Sequence, residues 1–133
     1  MKAEWDTLLA QWVGGDRSRE VASRLLFLSW YACMEPPHLT GHEDDVAPKG
    51  LVDELFEFLG GEGSLDVEFL FVVAVMAEVA PWCLGDELRW EAVAERFRAR
   101  LGGNVPNPEV FSGRGGYGEY FAHQALAQSG GAA

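Results

Sequence analysis

The feature that most constrains this chain is an unbroken apolar run inside SLDVEFLFVVAVMAEVAP, residues 64–81. From Phe69 to Ala77 no side chain is polar, and Glu78 is the first charge after the run. A segment with no solvent face has to be covered on several sides. Its valines and phenylalanines suit a strand, but no second run reads as one, and a lone strand has nothing to pair with. The flanks predict a helix instead: Ser64 stands as an N-cap, Asp66 and Glu68 fall in the first turn, and Pro81 closes it. Such a helix is roughly 24 Å long at 1.5 Å per residue. Its apolar core is shorter than the about 20 residues a membrane span needs. The expected fold is all-α, a single compact domain of five or six helices packed around a buried central helix over residues 65–80. The domain is expected to cover residues 1–128, with a frayed tail at 129–133.

The remaining helices follow from stripes of period 3.6. Trp5, Leu8, Leu9, Trp12 and Val13 mark a first helix that Gly14 and Gly15 end. Asp16 is the expected cap of a second, over residues 17–34, which Pro36 and Pro37 stop. That helix is apolar on two sides. Val21, Leu25, Leu28 and Ala32 form one stripe, and Phe27, Trp30, Tyr31 and Met34 form the other. It packs between two neighbours, or else it offers Trp30 and Tyr31 as exposed anchors for a partner, since such residues dominate binding hot spots. Residues 35–49 make a long irregular stretch. Residues 51–59 give a short amphipathic helix with Asp53, Glu54 and Glu57 as an acidic ridge. Asp86 caps a helix running to about Leu101, with Trp90, Val93, Ala94, Phe97 and Leu101 inward. Beside them Arg89, Arg96 and Arg100 form a basic row, expected to be solvated or paired with acidic neighbours. Residues 112–116 read as a flexible connector, and residues 117–128 as a last helix with Tyr117, Tyr120 and Phe121 inward.

The formal net charge is −11, and it is unevenly placed. From residue 35 to residue 87 there are thirteen acidic residues and one basic residue, Lys49, whereas the rest of the chain is nearly neutral. This argues against nucleic acid and anionic membranes as partners, because phosphate binding needs clustered Lys and Arg. A protein partner with a basic surface is compatible with it. No signal-peptide pattern is visible at the N-terminus, so the expected location is cytoplasmic. Cys33 and Cys83, lacking CxxC spacing, are expected to be reduced and buried.

Chemical motifs are few. His38, His42 and the adjoining carboxylates Glu43, Asp44 and Asp45 are ligand types for zinc or iron. Pro36, Pro37 and Gly41 break any helix that would hold them in register, so no metal is expected. Glu35 and His38 match the ExxH of di-iron bundles, but the motif occurs once and without its Glu partners. Residues 113–118 are glycine-rich but lack a preceding strand and the GK[ST] ending of a phosphate loop. Glu119 and His123, at i, i+4, read as a surface pair. There is no GxSxG and no activated cysteine, and no cofactor is expected.

The residues therefore favour a non-enzymatic acidic protein-binding module. Its expected partner-binding residues are Glu43, Asp44, Asp45, Asp53, Glu54 and Glu57, with Trp30 and Tyr31 as anchors. In size and charge the chain is similar to bacterial immunity proteins, which neutralise a secreted toxin; the likeness implies an inhibitor of a basic or toxin partner. The alternative is a small enzyme or a ligand- or metal-binding domain built on the loop from His38 to Asp45. Oligomeric state is left open by these patterns.

Overall fold

The computed structural model of the protein describes residues 2–34 and 48–130. These form six α-helices, α1 Lys2–Val13, α2 Arg19–Met34, α3 Leu51–Phe58, α4 Val67–Val79, α5 Glu87–Leu101 and α6 Gly115–Gly130. Short 3-10 turns at Gly61–Gly63, Pro81–Cys83 and Pro108–Phe111 join them, and the described residues contain no strand. The fold is all-α. Among the described residues no helix is long and apolar enough to cross a membrane.

The apolar run forms α4 and is buried from Phe69 to Ala77. Its cap is Asp66 rather than Ser64. Asp66 Oδ1 accepts a hydrogen bond from the Phe69 amide at 2.9 Å, while Ser64 Oγ accepts from the Asp66 amide at 3.1 Å and shapes the approach. The turn Pro81–Cys83 folds α5 back against α4. There Phe56 of α3, Phe69 of α4 and Phe97 of α5 meet with ring centroids 5.5 to 6.1 Å apart.

A second helix is as central as the first. In α2 every side chain from Leu25 to Trp30 is buried, because α1, α3, α4 and α6 all pack on it. Phe27 meets the rings of Tyr117, Tyr120 and Phe121 of α6. On other sides Ser29 Oγ accepts from Trp5 Nε1, and Trp30 Nε1 donates to the Ala80 carbonyl, both at 3.1 Å. The packed alternative is thus the arrangement observed, with four neighbouring helices rather than two. Its start is Ser18, whose Oγ accepts from the Val21 amide at 3.1 Å, and not Asp16.

That Trp30 hydrogen bond brings the last turn of α2 beside the turn Pro81–Cys83. The expectation of reduced, buried cysteines is corrected here: the two are bonded to each other, and Cys33 is exposed while Cys83 is buried. Cys33 and Cys83, separated by 50 residues, form a disulfide with Cα atoms 5.6 Å apart, a usual span for such a bond. Spacing along the chain carried no signal of it, because the two positions meet only through packing of α2 on the turn.

At the other end, α6 packs on Pro108–Phe111 so closely that a Cβ on Gly118 would lie 2.1 Å from the Phe111 carbonyl oxygen. The helix also runs past residue 128: Ser129 is helical, with its Oγ donating to the Ala125 carbonyl at 2.8 Å.

Candidate partner-binding surface

Among the described residues, much of the acidic middle of the sequence is paired with arginines. Asp53 pairs with Arg89 at 2.8 Å, and Glu54 lies 3.5 Å from Arg17 while also accepting from Trp12 Nε1. Glu62 pairs with Arg96, Asp66 with Arg19 at 3.6 Å, and Glu78 with Arg98 through two bonds of 2.8 Å. The cations come from the nearly neutral flanks, which fold over the middle. Of the expected ridge, Asp53 and Glu54 are exposed and carry ion pairs with Arg89 and Arg17, while Glu57 is exposed with no ion pair among the described residues. Of the basic row on α5, Arg89 and Arg96 supply two of these pairs, and Arg100 donates to the Ser64 carbonyl at 3.4 Å.

Trp30 is fully buried and offers no surface. Tyr31 is half-buried, with its ring 5.5 Å from Phe27 and 6.2 Å from Tyr120. Glu43, Asp44 and Asp45, with His38 and His42, lie outside the described residues. Glu119 and His123 are both exposed on α6.

The supposed connector at residues 112–116 proves to be the most heavily bonded charge in the described fold. Arg114 Nε and Nη2 donate to Glu20, Nη1 and Nη2 donate to Glu68, and Nη1 also reaches the Val110 carbonyl, all within 2.7 to 3.1 Å. Tyr117 completes the group by donating its hydroxyl to Glu68 Oε2 at 2.5 Å. The hydrogen bond to Glu68 pushes the Arg114 guanidinium pKa up, against an opposing effect of burial. Burial first, then the bond to Glu68, pushes the Tyr117 phenol up. A guanidinium has five N–H donors, and the carboxylates and carbonyl here occupy them. A cavity of about 90 Å³ adjoins the group, but Arg114 has no donor left to offer into it, and neither Arg114 nor Tyr117 exchanges protons near neutrality. This is a clamp joining α2, α4 and α6. A lone arginine among glycines carries no sequence signal of such a role.

Among the described residues, a further surface with unpaired carboxylates lies elsewhere. In the turn Pro81–Cys83 the two outer residues are buried, which forces the middle residue outward. Trp82 is 58 % exposed, whereas Trp5, Trp12, Trp30 and Trp90 are buried. It lines a groove of about 280 Å³ with Ala77, Glu78, Pro81, Glu87 and Glu91. Exposed Val79 and Leu88 stand nearby in the sequence. Glu78 is neutralised by Arg98, and Glu87 in the first turn complements the helix dipole. Glu91 and Glu95, at i and i+4, are exposed and carry no ion pair among the described residues. Chemically the groove offers an indole face beside carboxylates, a setting for a Lys or Arg side chain through cation–π and charge contact. Sequence reading passed over Trp82; a tryptophan between a proline and a buried cysteine in so short a turn was the available signal.

No protein-family model matches the chain, and no curated protein or solved structure is found to be similar to it.

Proposed function

We propose that the protein is a non-enzymatic, cytoplasmic binding module that docks a basic protein surface through the Trp82 groove, in the manner of an inhibitor or immunity protein. The observation that carries this reading is a half-exposed tryptophan, beside unmatched carboxylates, on a chain whose other tryptophans are buried. Exposed Trp is a costly residue on a surface and a frequent centre of binding energy. The net charge of −11 supplies attraction at a distance, and the groove supplies the contact that slows dissociation.

A Lys-rich peptide titrated into the full chain tests the reading, with affinity followed by calorimetry over a range of salt. Trp82→Ala is expected to weaken binding about tenfold, equivalent to about 1.4 kcal/mol. Glu91→Lys is expected to weaken it more than Glu57→Lys, although both change the net charge equally. Equal losses from the two charge reversals, with none from Trp82→Ala, would mean that overall charge alone attracts the peptide and would overturn the groove.

A further inference from the structure

We infer that the Cys33–Cys83 pair is a thiol–disulfide switch that sets how firmly Trp82 is presented, a regulation that rests on the Trp82 groove being the docking face. Cys83 is the residue next to Trp82, and the bridge ties that turn to the last turn of α2. The remaining ties are backbone contacts of the turn and its two ends. Trp30 Nε1 holds the Ala80 carbonyl at 3.1 Å, and the Cys83 and Leu84 amides close the turn on itself through Ala80 and Pro81 at 3.1 and 3.0 Å. Leu84 is buried and holds the far side. Reduction therefore loosens the segment between two fixed points without releasing it.

The chemistry is accessible from one side. Cys33 is exposed and Cys83 is buried, so a dithiol reductant approaches Cys33. Its thiolate attacks the Cys33 sulfur, the Sγ–Sγ bond breaks, and Cys83 leaves as a thiolate that takes up a proton. The second thiol of the reductant then attacks the mixed disulfide, which frees Cys33 and closes the reductant's own disulfide. Two electrons and two protons pass from the dithiol to the cysteine pair. A disulfide oxidant reverses the exchange. In a reducing compartment, disulfides that do form are chiefly transient or redox-sensing, and those open to solvent are the labile ones.

The oxidised form is the tighter binder, because an immobilised anchor loses less freedom on docking. The test compares the full chain oxidised, reduced with dithiothreitol, and as Cys33→Ser/Cys83→Ser, with thiol titration to fix each state. Fluorescence anisotropy decay of Trp82, isolated by subtracting a Trp82→Phe variant, should become faster in the reduced and double-serine forms. The Lys-rich peptide should bind them about 3- to 10-fold more weakly. Helical circular dichroism should be unchanged. Identical anisotropy decay in all three forms overturns the switch, as does failure of the cysteines to pair under oxidant. Loss of helical signal on reduction overturns it too, since the bridge is then a structural staple. If the oxidised protein fails to bind peptide, the docking reading falls while the switch is still decided by the anisotropy.

Discussion

Two helices carry rows of carboxylates, and the fold treats them in opposite ways. On α3, Asp53 and Glu54 face arginines delivered by α5 and by the loop before α2. On α5, Glu91 and Glu95 are exposed and carry no ion pair among the described residues. The residue types are the same and the sequence places the greater charge excess around α3. What differs is which cations the helix packing brings within reach. Among the described residues, net charge counted along the chain therefore differs from the distribution of unpaired carboxylates, because arginines of the neutral flanks reach the acidic middle.

The largest expected effect probes the most completely matched carboxylates. Arg114→Ala should leave Glu20, Glu68 and Tyr117 around an unpartnered site and lower stability by about 2–3 kcal/mol, read from the denaturation midpoint. A loss well below 1 kcal/mol would show that the clamp is no better matched than the exposed pairs. Tyr117→Phe comes next, at about 1 kcal/mol, with a pH signature. Because the folded phenol is pushed up, its contribution is complete below about pH 10, the ordinary tyrosine value, and is lost as pH rises further. Wild-type melting temperature should fall more steeply above that pH than the variant's. The smallest effects sharpen the contrast most. Asp53→Asn should destabilise by a few tenths of a kcal/mol through loss of Arg89. Glu91→Gln should stabilise by about 0.2–0.5 kcal/mol by removing repulsion at i, i+4. Matching signs for the two would erase the distinction between the faces.

Helices were legible because burial imposes period 3.6 on the residues that meet the core. Trp90, Val93, Ala94, Phe97 and Leu101 are all inward as their spacing predicts. The starts of α2 and α4 were misplaced by two residues, since Asp16 and Ser18, or Ser64 and Asp66, are equivalent as cap chemistry and only the backbone path selects between them. The candidate site was less legible. The groove depends on α4, α5 and one short turn meeting, and the disulfide depends on α2 reaching that turn. Nothing local to Trp82, Cys33 or Cys83 encodes those encounters. Likewise Trp30 reads as an anchor by type, and its burial comes from its packing against Phe27, Tyr31, Tyr120 and Ala80.

The contact between Gly118 and the Phe111 carbonyl bears on which sequence changes a lineage can accept. At 2.1 Å there is no room for any side chain, so this point fixes the rotation of α6 about its own axis. Losing or gaining one residue between the turn Pro108–Phe111 and Gly118 would turn the helix by about 100°. A residue with a Cβ would then occupy the contact, and Tyr117 and Phe121 would swing away from Phe27. Length in this short segment is therefore expected to be far less variable than composition, and insertions should be tolerated before Pro108 but not after it.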